Sequence, residues 1–232
     1  MRKRLIIILA VVFVLFAFFQ WYIICLYAED ISLAGYFSGI FADISQTISG
    51  NQSDKLIRMN LYNYSIFLYE SGQLIKPAKI SAAGNPNFSP TPVGTFQILS
   101  KEIRHISGIS GLVMPLSLRF YKGYYLHALP TYRSGKPFTS TYSAGCIRLN
   151  NDLAPEIFNW ADIGTKVEIY NSFLVKSADA LTVYYLNQDG TKEPISSAEE
   201  FVGRGFRWQD IKTIPLAELN TLPMEGTAAV KI

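Results

Sequence analysis

From residue 5 to residue 28 the chain reads LIIILAVVFVLFAFFQWYIICLYA, without one charged side chain. At a rise of about 1.5 Å per residue, a helix of that length covers a hydrocarbon core of about 30 Å. The stretch therefore predicts a membrane-spanning helix, and every later segment must be accommodated on one side of it. Arg2, Lys3 and Arg4 precede the span, while Trp21 and Tyr22 suit an interface. That asymmetry places the N-terminus in the cytoplasm and everything after residue 28 outside it. The alternative is a cleaved signal peptide, with Ser32-Leu33-Ala34 as the cleavage site. Apolar cores of signal peptides usually run about 7–15 residues, so an uncleaved single-pass anchor is expected. Cys25 is read as a small apolar residue within the span, because the large Ile24 precedes it where lipid attachment needs a small residue.

The formal net charge is +3, and Arg2, Lys3 and Arg4 supply all of it, leaving 18 basic residues against 18 acidic ones in the rest of the chain. A neutral body of this kind argues against a nucleic-acid partner. With 232 residues, 49% of them hydrophobic, there is material for one ordinary core and a small appended unit.

Leu33, Phe37, Ile40, Phe41, Ile44 and Ile48 fall at helical spacing and predict a juxtamembrane amphipathic helix over 31–48. Ser49-Gly50-Asn51-Gln52-Ser53 breaks it as a linker. The period then changes to two. KLIRMNLY, SIFLYE and QLIKPAKISAA predict consecutive antiparallel strands between 55 and 83, and a proline- and asparagine-rich loop precedes a further strand over 93–99. Residues 100–113 are weakly patterned and are read as loop. Strand character returns over 114–126 and delivers His127 at a strand end. The segment from 128 to 142, rich in Pro, Gly, Ser and Thr, is long enough to form a substrate wall. Asn151 or Asp152 is the expected cap of a helix DLAPEIFNWA, and a last strand runs from 166 to 170. These readings divide the chain into a cytoplasmic tip and span (1–28), a juxtamembrane helix and linker (29–54), a main domain (55–171) and a small α+β C-terminal unit (172–232). That unit contains a hairpin turning at Asp189-Gly190 and a helix capped by Ser197. The fold class is mainly β with short helices, a mixed β-sandwich or barrel.

Beyond the span the chain has one cysteine, Cys146, in Ser143-Ala144-Gly145-Cys146-Ile147-Arg148-Leu149. A lone buried cysteine is ordinarily core. An unpaired one in an oxidising compartment, downstream of a strand-end histidine, points instead to a functional thiol that needs a base to take its proton. Of the two histidines, His127 is the candidate base, and His105, in the unpatterned segment, is given no role. No metal-ligand cluster and no cofactor motif is present in the sequence.

Thr91-Pro92-Val93-Gly94-Thr95-Phe96, then His127, then the cysteine motif with fifteen residues between His127 and Ser143, then Gly164-Thr165-Lys166-Val167-Glu168-Ile169, resemble the catalytic domain of the L,D-transpeptidases of the YkuD type. The resemblance covers about residues 55–171. It implies that Cys146 attacks a peptidoglycan stem peptide and expels its terminal D-alanine, and that His127 is the acid–base group. The backbone N–H of Cys146, with that of Gly145 or Ala144, would stabilise the oxyanion, and Ser143 supplies the hydroxyl of the family's motif. Arg148 matches a position near substrate, though it could equally brace the loop. Tyr125 and Tyr142 are candidate substrate contacts for which packing is the commoner role. Two departures stand out. Ala144 replaces the second histidine that many members carry, and Ala128 replaces the usual glycine whose carbonyl orients the imidazole.

The expected function is a membrane-anchored enzyme, its catalytic domain on the wall side, forming 3–3 cross-links between stem peptides without a cofactor. The same acyl-enzyme could pass its acyl group to water or to a protein amine. A reading from another class, an inactive wall-binding scaffold, is opposed by the presence of both Cys146 and His127.

Overall fold

The computed structural model describes residues 54–226. The expected span at 5–28 and helix at 31–48 lie outside these residues, and among the described residues no helix is long and apolar enough to cross a membrane. Strands far outnumber helices, as expected. A first sheet contains β1 (Lys55–Asn60), β2 (Ser65–Glu70), β3 (Gln73–Lys79), β4 (Gly94–Gln97) and β9 (Lys166–Tyr170) in the order β3-β2-β1-β9-β4. β1 and β2 make an antiparallel hairpin, while β1 pairs in parallel with β9. A second sheet orders β5 (Ser100–Ile106), β6 (Val113–Tyr121), β7 (Tyr124–His127) and β8 (Ile147–Arg148) consecutively.

Alternation along the strands decides where the core lies. Ile57 and Met59 of β1, Ile66 and Leu68 of β2, and Val167 and Ile169 of β9 share a main core with Leu118, Phe120, Leu126 and Ile147 of the second sheet. Ile157 of helix α1 (Leu153–Trp160) joins them. The intervening Phe67, Tyr69 and Tyr170 enter a second core with Val175, Leu186, Ile214, Leu219 and Leu222. The first sheet is thus covered on both faces, which is why β2 reads as an unbroken apolar run and is buried from Ser65 to Tyr69.

The cover on the second face is built from residues 172–226. Its sheet, in the order β12-β11-β10-β13, holds β10 (Leu174–Ser177), β11 (Tyr184–Leu186), β12 (Lys192–Pro194) and β13 (Ile211–Ile214), with helices α2 (Ala198–Gly203) and α3 (Leu216–Thr221). The Asp189-Gly190 turn and the Ser197 cap are as expected: Thr191 N–H donates to Asp189 Oδ1 at 2.8 Å, and Glu200 N–H to Ser197 Oγ at 3.1 Å. Each large apolar side chain taken out of water contributes about 1.5–3 kcal/mol, and much of that burial here is against the first sheet. A polar cluster fixes the registration. The guanidinium of Arg58 donates to Glu218 Oε1 at 2.7 Å and to Glu168 Oε2 at 2.9 Å, and Tyr69 Oη donates to the same Glu218 oxygen at 2.9 Å. Arg58 is 5% exposed and Glu218 0%, so neither charge has water to fall back on.

Two local expectations change. Residues 100–106 are strand β5 and not loop, paired with β6 from Ser100 opposite Arg119 to Ile106 opposite Val113. β5 is an edge strand with Lys101, Glu102, Arg104 and His105 in it; such charges blunt an edge and erase the apolar alternation that announces a strand. Asp152 is the N-cap residue of α1, as expected, but its side chain makes no cap bond; the capping acceptor is Asn150 Oδ1, which accepts from Leu153 N–H at 2.7 Å.

Replacing Glu218 by Ala leaves Arg58 buried with only Glu168 as counter-charge, an arrangement expected to cost about 3 kcal/mol. The double variant Arg58→Met, Glu218→Leu should unfold in urea at a higher midpoint than Glu218→Ala alone. Equal midpoints for the two would show that the cluster does not depend on charge pairing.

Candidate active site

β8 is two residues long and is held from both sides. In parallel pairing with β7, Leu126 faces Ile147 and His127 faces Arg148, and Leu149 N–H donates to the His127 carbonyl at 2.8 Å. On the other flank, Arg148 N–H donates to the Ala82 carbonyl at 2.8 Å, and Ser81 N–H to the Arg148 carbonyl at 2.7 Å. Leu126 and Ile147 are wholly buried in the main core. Because side chains alternate and paired residues share a face, Tyr125, His127 and Arg148 belong to the opposite face, together with Cys146 one step before β8. The parallel register thus puts Cys146 and His127 on one face of the sheet, where the Cys146 thiol lies 3.9 Å from the Gly123 carbonyl oxygen.

The turn that presents Cys146 is closed by one hydroxyl. Ser143 Oγ accepts from Gly145 N–H at 3.0 Å and donates to the Cys146 carbonyl, while Ser143 N–H donates to the Ala83 carbonyl at 2.9 Å. Thr91 Oγ1 donates to the Gly145 carbonyl at 2.8 Å and accepts from Gly84 N–H at 2.9 Å. Gly145 has φ +108°, and a Cβ on it would lie 2.4 Å from the Tyr124 ring, so glycine is required for backbone conformation and for space. Since Gly145 N–H is engaged by Ser143, it is not available to an oxyanion. Among the described residues no acceptor is bonded to the N–H of Cys146 or of Ala144.

His127 Nδ1 lies 2.6 Å from the Ala128 carbonyl oxygen. A carbonyl can only accept, so Nδ1 carries the proton and Nε2 of the neutral ring is an acceptor. The alanine at 128 therefore still supplies the orienting carbonyl. His127 is 2% exposed. Burial pushes its pKa down to about 4, with the Ala128 bond working against the shift and the charges of Arg148 and His105 adding to it. Burial also pushes the Cys146 thiol up, opposed by the backbone N–H of Tyr125 and by Arg148. At neutral pH Cys146 is consequently a thiol and His127 a neutral imidazole.

The other sequence candidates separate. Arg148 is buried; it donates to the Ser140 carbonyl at 2.8 Å and its guanidinium sits 5.4 Å from the Phe138 ring centre, contacts that brace the segment before the cysteine turn. Tyr125 is buried with its ring stacked on His105 at 4.4 Å between centroids. Tyr142 is 42% exposed, and Ala144 is exposed. His105, given no role from the sequence, lies in β5 with Nδ1 2.8 Å from Glu102 Oε2, so a second imidazole packs against Tyr125 although none precedes Gly145. Gly84 and Tyr124 carry no mark as site residues in the sequence, and Thr91 stands there only as the start of a motif. Their partners are distant in sequence, and a Thr-Pro turn or a strand tyrosine carries no local mark of such a contact.

Residues 54–169 match the L,D-transpeptidase catalytic domain, YkuD. With half of its length in that match, the chain belongs to the YkuD family of L,D-transpeptidase catalytic domains. Among solved structures it is similar to an L,D-transpeptidase (Yku) from Stackebrandtia nassauensis at 24% identity, with a TM-score of 0.45 over 52% of this chain and 57% of that one. Similarity to an L,D-transpeptidase from Mycobacterium smegmatis is at 24% identity and TM-score 0.41, over 50% and 58% of the two chains. For L,D-transpeptidase 1 of Mycobacterium tuberculosis the values are 21% and 0.41, over 51% and 62%. The chain thus spans less than two thirds of the length of these structures. None of the curated proteins compared matches it.

Two outcomes follow from this geometry. Between the ordinary histidine pKa of about 6.5 and the depressed value of about 4, the unfolded chain binds a proton at residue 127 that the folded chain refuses. Stability should therefore fall by about 1.4 kcal/mol per pH unit across that window as pH drops. Urea unfolding at pH 7 and pH 4.5 should show a weaker loss for His127→Phe than for the parent; parallel losses would contradict a buried neutral imidazole. Gly145→Ala must take up a forbidden φ and displace Tyr124, so alkylation of Cys146 by iodoacetamide should change by tenfold or more while the far-ultraviolet circular dichroism stays native. An unchanged alkylation rate would show that the turn is not conformationally fixed.

Proposed function

We propose that this protein is a peptidoglycan L,D-transpeptidase with Cys146 as nucleophile and His127 as acid–base group. The observation that carries the reading is the β7–β8 register, which sets an imidazole whose Nδ1 is held by the Ala128 carbonyl on the face that holds the cysteine. In the proposed cycle the Cys146 thiol transfers its proton to His127 Nε2 as sulfur adds to the carbonyl of the third stem residue. The oxyanion is received by the N–H of Cys146, assisted by that of Ala144. Collapse breaks the bond to the terminal D-alanine, whose amine leaves with the proton from His127. A group with a pKa near 4 is a strong general acid once protonated, which favours this step. The thioester then acylates an acceptor amine, His127 takes the amine proton, and that proton returns to sulfur as the thiol is released. The products are D-alanine and a 3–3 cross-linked dimer. The uncharged segment at 5–28 supports anchoring of the catalytic domain on the outer face of the membrane, where stem peptides are found.

The test is incubation of the purified chain with disaccharide-tetrapeptide, followed by mass spectrometry of protein and products. The expected result is an adduct on Cys146, lacking the mass of D-alanine, together with dimers. Cys146→Ala should abolish both, and His127→Ala should slow acylation by about 10²–10⁴. An adduct that survives Cys146→Ala overturns the mechanism, and tripeptide without dimer replaces transpeptidation by hydrolysis.

A further inference from the structure

A cavity of about 820 Å³ opens beside the cysteine turn, between the 61–64 turn, the 83–93 segment, residues 141–142 and the start of the C-terminal unit. This is an ordinary ligand-site size. Its lining contains the rings of Tyr62, Tyr64 and Tyr142, and the amides of Asn171 and Gln188, with no carboxylate, ammonium, guanidinium or imidazole. An uncharged lining gives no counter-charge to an anionic or cationic ligand. Phenol rings with amide and hydroxyl groups instead suit a ligand with apolar C–H faces rimmed by hydroxyl and acetamido groups.

The cavity is mechanically joined to the cysteine turn. A Cβ on Gly84, which lines it, would lie 2.8 Å from Gly145 Cα, and Thr91, also in its wall, bonds the Gly145 carbonyl. Asn85 N–H donates to the Ser143 carbonyl at 3.3 Å, closing the same seam. Tyr64 holds φ +58°, a conformation costly for a bulky side chain, and lines the cavity from the β1–β2 turn. Gln188 belongs to the C-terminal segment and Asn171 is the last residue before it, so that segment adds one wall to the cavity.

We propose that this cavity binds the uncharged amino-sugar strand of peptidoglycan next to the stem that is processed at Cys146. The proposal rests on the transpeptidase reading for the identity of the polymer. In that polymer the lactyl carboxylate is tied up as an amide, so the strand carries no charge where the stem begins. The third stem residue lies roughly 10 Å from its sugar at about 3.3–3.6 Å per residue, and the cavity wall meets the cysteine turn at Gly84 and Thr91.

The experiment uses the full-length Cys146→Ala chain in a sugar-free detergent, with peptide-free tetra-N-acetylchitotetraose as probe and isothermal titration calorimetry as readout. Saturable binding is expected, weakened at least tenfold by Tyr142→Ala and by the exposed pair Asn171→Ala, Gln188→Ala, with melting temperatures checked to confirm folding. No binding to the parent, or binding that both folded variants retain, overturns the assignment. Acylation of the wild-type chain by a sugar-free tetrapeptide is measured in parallel. Acylation without oligosaccharide binding removes the cavity assignment alone. Oligosaccharide binding lost in the variants, without acylation, keeps the cavity assignment and removes the transpeptidase reading.

Discussion

The parallel pairing of β7 with the two-residue β8 is the constraint on which the site depends. It consists of two residue pairs, yet Leu126 and Ile147 lock it by being wholly buried on the core side. Burial of that pair decides the face on which His127 and Cys146 lie, since a one-residue slip would turn His127 inward and Leu126 outward. A strand so short contributes few hydrogen bonds of its own. Its flanking bonds to Ser81 and Ala82, and the Thr91 hydroxyl bonded to Gly145, spread the task over segments that arrive from three parts of the chain.

The first sheet explains how the C-terminal stretch 172–226 is held. Its second face carries Phe67, Tyr69 and Tyr170, and a sheet with aromatic residues on its outer face requires a cover. Residues 172–226 provide it, and the Arg58–Glu218–Glu168 cluster sets the orientation because a displaced partner would leave a charge buried and unpaired. The same docking brings Gln188 to the cavity lined by Gly84 and Thr91.

At the candidate site, low polarity around Cys146 and His127 shifts the balance toward neutral forms. Burial lowers the pKa of His127 and raises that of Cys146, so both are neutral at pH 7. The Ala128 carbonyl fixes which nitrogen is available, a role that depends on the backbone and is indifferent to the glycine-to-alanine change at that position.

The sequence alone was enough to determine the mainly β class, most strands of the first sheet, the α1 segment, and the pairing of Cys146 with His127 as candidates, because period-two burial and a reactive residue in a short motif are local properties. It could not reveal β5, whose charged edge lacks alternation, or that Asn150 and not the N-cap Asp152 supplies the capping oxygen, where three polar residues in a row compete. It also left His105, Thr91, Tyr124 and Gly84 without roles, and Arg58 and Glu218 as ordinary charges. Those identities depend on contacts such as the one between Arg58 and Glu218, 160 residues apart, and on which face a strand turns to which neighbour. Only the tertiary structure decides such matters, because hydrogen bonds and burial over long separations are set by how sheets pack and not by any pattern within a segment.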